Sequence, residues 1–190
     1  MINIIGGAYK RKKINVPKKK VRPTSAIKRE AIFSTLESFA VKNSYDLYNK
    51  KCFIDFFSGS GALGLEAISR GASFAYFYEF DDEVLPTLIK NCKSLCKESN
   101  YKIIKQDILQ LKKIKLNFSL STIFIDPPYE INPFEKILKI IINSNILNNE
   151  SIIVIETENK KKIQIPRNLK KIKEKNYGKT KIIFLKNYDK

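Results

Sequence analysis

The most informative residues of this chain are Asp126-Pro127-Pro128-Tyr129, which directly follow the β-branched and aromatic run from Ser121 to Ile125. Such a run predicts a buried strand, and an acid at its carboxyl end lies where open α/β sheets place their chemistry. The prolines have no N–H and hold the chain extended, which leaves the carbonyls of Asp126 and Pro127 able to accept hydrogen bonds. A carboxylate, a carbonyl and an aromatic ring held together suit a planar group that carries an NH2, such as a nucleobase.

A glycine-rich segment lies at the end of another predicted strand. The apolar run from Lys51 to Phe57 leads into Ser58-Gly59-Ser60-Gly61-Ala62-Leu63-Gly64. These glycines allow a tight turn and close approach of a ligand to the backbone before a helix begins. Their spacing also matches the dinucleotide fingerprint, with Glu79 about where a ribose-binding acid is expected. A nicotinamide or flavin enzyme is therefore a competing interpretation.

Asp55 distinguishes between the two kinds of ligand. It lies inside the end of the predicted strand, four positions before Gly59. A carboxylate there is unfavourable for a pyrophosphate and favourable for a cation, such as a sulfonium with an α-amino group. With Glu79 and Asp126 at the ends of two other strands, Asp55 predicts a cationic ligand at the carboxyl edge of the sheet.

The pattern Asp55-x-x-x-Gly59-x-Gly61 with a later Asp-Pro-Pro-Tyr resembles the methyltransferases that use S-adenosyl-L-methionine (AdoMet) to modify exocyclic base amines. Further stretches resemble one bacterial family of that class, the 16S rRNA guanine-N2 methyltransferases of the RsmD type. These stretches are Ile4 to Lys10, Val21-Arg22-Pro23-Thr24 with Arg29 to Phe33, Gly59 to Gly71, and Tyr177 to Thr180. The resemblance covers nearly the whole chain. It implies a seven-stranded Rossmann-like sheet, AdoMet as cofactor, and 16S rRNA in a partly assembled small ribosomal subunit as substrate.

The resemblance also implies where the cofactor binds. Asp55 and the backbone from Gly59 to Gly61 are expected to bind the methionine part, and Glu79 to accept from both ribose hydroxyls. Asp107 is expected to accept from the adenine amine, although capping the turn that follows suits it equally well. The predicted cofactor-binding residues are Asp55, Ser58, Gly59, Gly61, Glu79, Asp107 and Ile108, the last against the adenine ring.

The predicted catalytic residues are Asp126, Pro127, Pro128 and Tyr129. The lone pair of a guanine amine is delocalised into the ring, so positioned acceptors are needed to orient the nitrogen. Asp126 and the carbonyl of Pro127 would accept its two hydrogens. Tyr129 would stack on a base that is flipped out or presented in a single-stranded loop. The alternatives are a simple strand-ending turn for Asp-Pro-Pro and core packing for Tyr129.

The chain is strongly basic, with a formal net charge of +17. This charge predicts a polyanionic partner, although drift towards A/T-rich codons would also add lysines. Arg29 is assigned either to a phosphate contact or to ordinary surface charge. The residues predicted to bind RNA phosphates lie near the amino end and are Lys10, Arg11, Lys12, Lys13 and Arg22. Such contacts position the RNA without reading its sequence.

Strand and helix patterns alternate along the chain, which predicts a mostly parallel α/β sheet with helices on both faces. Strands are predicted near residues 52–56, 74–79, 102–104, 122–125, 152–155, 170–175 and 182–185, and helices near 25–40, 62–70, 83–95 and 134–143. The last two strands form a hairpin, so one of them is antiparallel. A small hairpin, from 2–5 and 14–16, lies ahead of this core and is able to project from it. The predicted domains are a basic extension at 1–22 and a methyltransferase domain at 23–190.

Composition limits the other classes. The chain has three cysteines and no histidine, so no metal site is predicted, and unpaired thiols indicate a reducing cytoplasm. No apolar run is long enough to cross a bilayer, and residues 1–5 are too short for a signal sequence. We expect a cytoplasmic monomer. The alternatives that remain are an adenine-N6 methyltransferase acting on RNA or DNA, a non-catalytic RNA-binding module and a nicotinamide oxidoreductase.

Overall fold

The protein is represented by a computed structural model, which describes residues 1–17, 24–128 and 130–188. A two-stranded hairpin is followed by a seven-stranded sheet with four α-helices around it. Arg22, Tyr129 and the predicted boundary between residues 22 and 23 lie outside the described residues. The elements in chain order are β1 (Ile2–Asn3), β2 (Lys13–Ile14), α1 (Ala26–Lys42), β3 (Lys51–Phe56), α2 (Ala62–Ser69), β4 (Phe74–Glu79), α3 (Leu85–Leu95), β5 (Tyr101–Lys105), β6 (Ser119–Ile125), α4 (Phe134–Ser144), β7 (Ile152–Glu158), β8 (Leu169–Tyr177) and β9 (Thr180–Asn187).

The sheet has the strand order β5-β4-β3-β6-β7-β9-β8. Strands β3 to β7 pair in parallel, whereas β9 runs antiparallel to both β7 and β8. The predicted mostly parallel sheet and its closing hairpin are thereby confirmed. The chain leaves β3 towards β4 on one side and later returns to place β6 on the other side. The point between β3 and β6 is therefore the topological switch point, where such sheets bind their ligands.

Both faces of the sheet are covered, which explains why its strands are continuous apolar runs. Phe53 and Phe124 point to the face that carries α1. Ile54 and Ile123 point to the opposite face, where α4 packs with a strongly amphipathic pattern. Burial of each such side chain contributes about 1.5–3 kcal/mol, so the central strands are rigid supports for whatever follows their carboxyl ends.

The amino-terminal hairpin is docked on α2 and does not project from the core, contrary to expectation. The buried carboxylate of Glu66 accepts from the backbone N–H of Ile5 at 2.8 Å and of Gly6 at 2.7 Å. Gly7 has a φ of +73°, and a Cβ at this position would lie 1.8 Å from the carbonyl oxygen of Ser69. Only glycine permits this close approach, so the Gly6-Gly7 turn is a docking contact with the carboxyl end of α2.

Candidate active site at the switch point of the sheet

A cavity of about 280 Å³ lies at the carboxyl ends of β3, β4 and β6. The predicted residues that line it are Asp55, Ser58, Gly59, Glu79, Asp126, Pro127 and Pro128. The structure therefore brings the glycine-rich segment and the Asp-Pro-Pro segment together, although the two are far apart in sequence. The cavity lies beside the switch point, and no single helix or strand forms it.

The glycine-rich turn is held in place by two of the carboxylates. Gly64 donates its N–H to Asp55 Oδ2 at 3.0 Å, and Gly59 donates to Glu79 Oε2 at 2.9 Å. Gly61 caps the start of α2 with a φ of +79°, and a Cβ there would lie 2.7 Å from Leu88. The turn is thus fixed before any ligand binds, with its backbone close to the cavity.

Glu79 has less capacity for ribose than the sequence suggested. Its Oε1 accepts from the N–H groups of Phe80 at 2.9 Å and Asp81 at 3.0 Å, while Oε2 accepts from Gly59. A carboxylate offers about four acceptor positions, so these bonds leave roughly one. Binding of ribose by Glu79 stays a prediction, and it involves one strong hydrogen bond unless the loop rearranges.

Asp55 is almost fully buried, with 2% of its surface exposed. Its pKa is raised well above the ordinary value, mainly because burial removes water from the carboxylate. The N–H of Gly64 opposes this shift, whereas the negative charges of Asp126 and Glu79 add to it. The cavity is lined by these three acids and also by Asp81 and Glu130. It is therefore suited to a cationic ligand, which would relieve the mutual repulsion of the acids.

Asp126 follows β6 and is held by a residue from the start of α1. Thr24 donates its hydroxyl to Asp126 Oδ2 at 2.6 Å. The pKa of Asp126 is raised, first by burial and then by the nearby charge of Glu156, while Thr24 and Lys28 act in the opposite direction. Lys28 forms a buried ion pair with Glu156 on β7. The carboxylate of Asp126 thus lies beside a buried ion pair between Lys28 of α1 and Glu156 of β7.

Arg29 does not have either of the roles predicted for it. Only 2% of its surface is exposed, so it is neither a phosphate contact nor an ordinary surface charge. Its guanidinium donates to the carbonyl oxygens of Thr24 at 2.6 Å and Asn3 at 2.7 Å. Arg29 therefore links the start of α1 to the hairpin.

Two predicted adenine-binding residues lie away from the cavity lining. Asp107 caps the short turn after β5, with its Oδ1 accepting from Leu109 N at 2.9 Å. Ile108 is 97% removed from solvent, at 3% exposure, and packs in the core beside α4. This arrangement corresponds to the capping alternative, and contact with adenine stays a prediction for both residues. Gly61 also does not line the cavity. It shapes the glycine-rich turn at the start of α2.

The basic residues of the hairpin are on the surface. Lys10, Arg11, Lys12 and Lys13 are all exposed. Lys10 and Arg11 line an open cleft of about 430 Å³ between the hairpin and the start of α1. Thr24 lines both this cleft and the switch-point cavity, so the two openings are neighbours.

Sequence reasoning missed several residues of the cavity, and Thr24, Phe57 and Phe80 are the most informative of them. Thr24 was assigned no chemistry, because a threonine before a helix is an ordinary capping signal. Phe57 adopts a φ of +59°, a strained conformation for a side chain of this size and typical of functional loops. Phe80 lines the cavity and remains 55% exposed. An aromatic residue directly after a strand-ending acid was the available signal for Phe80.

The described residues contain no group of histidine, cysteine, aspartate or glutamate that could hold a metal ion. Their three cysteines are unpaired. None of the helices in the described ranges combines the length and apolar character that a membrane span requires.

Solved structures with this fold are methyltransferases. A putative methyltransferase from Escherichia coli superposes with a TM-score of 0.80 at 29% identity, covering 100% of this chain and 99% of that chain. A putative methylase from Haemophilus influenzae superposes with a TM-score of 0.77 at 30% identity, covering 99% of each. A magnesium protoporphyrin IX methyltransferase from Synechocystis, solved with AdoMet bound, shares the fold alone at 13% identity and a TM-score of 0.57. Fold and site thus define a methyltransferase.

Comparison of sequences narrows the class to one family. A family model described as Conserved hypothetical protein 95 matches residues 2–186. A protein of Buchnera aphidicola named ribosomal RNA small subunit methyltransferase D is 38% identical, covering 92% of this chain and 87% of its own length. A protein of the same name from Escherichia coli is 34% identical, covering 83% and 75%. The chain belongs to this family of RsmD-type methyltransferases.

Proposed function

We propose that this protein transfers a methyl group from AdoMet to the exocyclic N2 amine of a guanine in 16S rRNA. The observation that supports this most is the position of Asp126, Pro127 and Pro128 in the same cavity as Asp55 and Glu79. An acceptor for the target amine and acceptors for a cationic cofactor then share one small space. The names of the relatives, which refer to small-subunit rRNA, support the choice of substrate.

The residues of the cavity fit AdoMet. The sulfonium and ammonium charges of AdoMet complement Asp55 and its acidic neighbours, and Gly59 approaches the ligand through its backbone. Glu79 retains about one acceptor position for a ribose hydroxyl. Phe80 offers an exposed ring at the rim. When bound, AdoMet would supply an electrophilic methyl group, and the remaining chemistry falls to the chain.

Asp126 and the carbonyl of Pro127 perform the orienting step. They accept the two hydrogens of the amine, which turns the nitrogen lone pair towards the methyl group and restricts its motion. Asp126 need not be a strong base, since the proton can leave after the nitrogen has become positive. Stacking on Tyr129 would hold a base that has left its helix.

The substrate is further proposed to be RNA within a partly assembled small subunit, bound by a cytoplasmic, monomeric enzyme. Exposed cations from Lys10 to Lys13 would contact phosphates beside the cavity, and Arg22 is proposed for the same role. The unpaired cysteines support a reducing compartment. Adenine-N6 remains the second candidate for the methylated atom, because the same acceptors can hold an adenine amine.

Mass mapping of methylated nucleosides in 16S rRNA, from cells with and without this protein, tests the proposal. Loss of one N2-methylguanine is expected, whereas loss of an N6-methyladenine would support the second candidate. Asp126→Ala should lower turnover by about 10²–10³ with little change in AdoMet affinity. Glu135→Ala, at an exposed position on α4, serves as the control. Near-normal turnover of Asp126→Ala would mean that Asp-Pro-Pro is only a turn.

A further inference from the structure

The two carboxylate oxygens of Asp126 have different surroundings. Oδ2 accepts the short hydrogen bond from Thr24, at 2.6 Å. Among the described residues, none donates a hydrogen bond to Oδ1. Asp126 is part of the cavity lining, and Thr24 is buried, with 7% of its surface exposed. One oxygen of a carboxylate that lines the cavity is therefore anchored to the protein.

The residue that anchors Asp126 is itself fixed from two directions. Thr24 directly precedes Ser25, the cap of α1, whose hydroxyl accepts from Lys28 N at 3.3 Å. The carbonyl oxygen of Thr24 accepts from buried Arg29, and the same guanidinium donates to Asn3 in β1. A change in the position of the hairpin would therefore be transmitted through Arg29 to Thr24 and then to Asp126.

We propose that Thr24 is a positioning residue for methyl transfer, fixing Asp126 Oδ2 so that Oδ1 faces the target amine, and that Arg29 couples this contact to the RNA-binding hairpin. This inference rests on the proposed function of Asp126. Without the hydroxyl of Thr24, the carboxylate rotates, and the target nitrogen is held in line for a smaller fraction of the time. The contact forms no covalent bond and leaves the methyl-transfer step itself unchanged.

The charges around Asp126 provide a second measurable signal. The groups that face it are Thr24 and Lys28 from α1, Glu156 from β7 and Asp55 from β3. Burial and Glu156 raise the pKa of Asp126, while the hydrogen bond from Thr24 lowers it by favouring the ionised form. Removing that bond raises the pKa further. At low pH Asp126 is protonated and no longer accepts through both oxygens, which produces the acidic limb of the activity profile. This limb then moves to higher pH.

The experiment compares Thr24→Val, which keeps the shape but lacks the donor, with Thr24→Ser, which keeps the hydroxyl. Methyl transfer from labelled AdoMet to small ribosomal subunits that lack the modification is measured across a range of pH. For Thr24→Val, kcat should fall by roughly 10- to 100-fold, as expected for loss of a hydrogen bond to a charged group. KM for AdoMet should change little. Thr24→Ser should restore most of kcat and the normal acidic limb.

Arg29→Lys tests the coupling to the hairpin, because a lysine keeps the charge but cannot donate to two carbonyls with a fixed planar geometry. It should lower kcat with a smaller change in AdoMet affinity. The inference would be overturned if Thr24→Val and Thr24→Ser lost folding stability and activity equally and the acidic limb did not move. Thr24 would then have only a structural role before α1.

The two proposals fail in different ways. If Asp126→Ala is inactive but Thr24→Val is normal at every pH, the positioning role is wrong and the proposed function stands. If cells that lack the protein keep every N2-methylguanine of 16S rRNA, the proposed function is wrong. If Asp126→Ala retains normal turnover, the role of Asp126 is wrong, and the Thr24 contact is then only a link between the start of α1 and β6.

Discussion

At the scale of single residues, five acids line the cavity, and three of them, Asp55, Glu79 and Asp126, lie at the ends of neighbouring strands. Each has a different set of partners, which separates their chemistry. Among the described residues, Glu79 accepts from three backbone N–H groups and Asp55 from one, while Asp126 accepts from one side chain. Glu79 therefore acts mainly on the loop, Asp55 suits a cation, and Asp126 retains capacity for an amine.

AdoMet binding is expected to release protons. Because the pKa of Asp55 is raised, the free protein keeps a proton there up to a higher pH than an ordinary aspartate does, and a cationic ligand favours the ionised form. Affinity should therefore rise with pH. Calorimetry in buffers of different ionisation enthalpy measures the released protons directly. The release should persist in Asp126→Asn, and a binding enthalpy that is the same in every buffer would contradict the role of Asp55.

Asp126→Asn is expected to stabilise the fold while removing activity. A carboxyl group with a raised pKa in the folded state holds its proton more tightly than in the unfolded chain, so its contribution to stability falls as pH rises between the two pKa values. The amide carries no charge and avoids this loss. A gain on the order of 1 kcal/mol, or roughly 2–4 °C in Tm, is expected near neutral pH.

Thermal melts across pH test this stability effect. The gain should disappear in acid, below the pKa of an unfolded aspartate, where both states are protonated. Glu135→Gln is the matched control, because Glu135 is exposed and its ion pair among the described residues is with Lys139 on the same helix. A stability difference between wild type and Asp126→Asn that is independent of pH would show that packing, and not charge, separates them.

At the scale of elements, the docked hairpin lies next to the start of α1, where Thr24 lines both the cavity and the neighbouring cleft. Glu66 on α2 is fully buried and bonds to two backbone N–H groups of the hairpin and to Arg70. Asn91 on α3 bonds to Asn15 and to the carbonyl oxygen of Ser60 in the glycine-rich turn. The hairpin is thus connected to the glycine-rich turn and, through Arg29 and Thr24, to Asp126.

Glu66→Gln should loosen the hairpin. The amide cannot form the same charge-assisted bonds to Ile5, Gly6 and Arg70, and the loss of stability should be about 2–4 kcal/mol. Denaturant unfolding measures this cost, and trypsin should cleave sooner within Lys10 to Lys13. Glu135→Gln should change stability by less than about 0.5 kcal/mol. Unaltered cleavage and stability in Glu66→Gln would mean that other contacts hold the hairpin.

At the scale of the whole molecule, the charge of +17 is distributed on more than one side. The hairpin cluster, Lys10 to Lys13, lies beside the cavity. A second exposed cluster consists of Lys112, Lys113 and Lys115, around Ile114. Ile114 donates its backbone N–H to the hydroxyl of Ser144 at the carboxyl end of α4, which leads into β7. The second cluster therefore lies near the amino ends of the strands, opposite the carboxyl ends that form the cavity. Comparing variants of the two clusters can therefore distinguish a specific RNA contact at the hairpin from an effect of net charge.

Neutralising Lys10, Arg11, Lys12 and Lys13 should weaken RNA binding and leave AdoMet binding intact. Each lost phosphate contact should reduce the slope of log affinity against log salt by roughly one unit. The control neutralises four other exposed residues and so removes the same amount of charge. They are Lys50, Lys112, Lys113 and Lys115. Titration of both variants against salt measures the difference. Equal slopes for the two variants would assign the binding to net charge alone.

Much of the architecture could be predicted from local pattern. The range of β4 was predicted in full, and α4 within one residue, because each is a strongly apolar or amphipathic run with clear ends. The hairpin strands are shorter than predicted, since Gly6-Gly7 is used for docking and not for extending the ladder. Arg29 was misassigned because a charged residue is normally exposed, and only its two carbonyl partners make burial acceptable.

The sequence by itself determined the class of fold, the family and the two segments that face each other across the cavity, because short spacings carry that information. Only the tertiary structure decided which distant residues complete the site. Thr24 meets Asp126 across 102 positions, and Lys28 meets Glu156 across 128. Hydrophobic periodicity reports whether a residue is buried, but it does not report its partners. Those partners follow from strand order, which brings the start of α1 against the ends of β6 and β7.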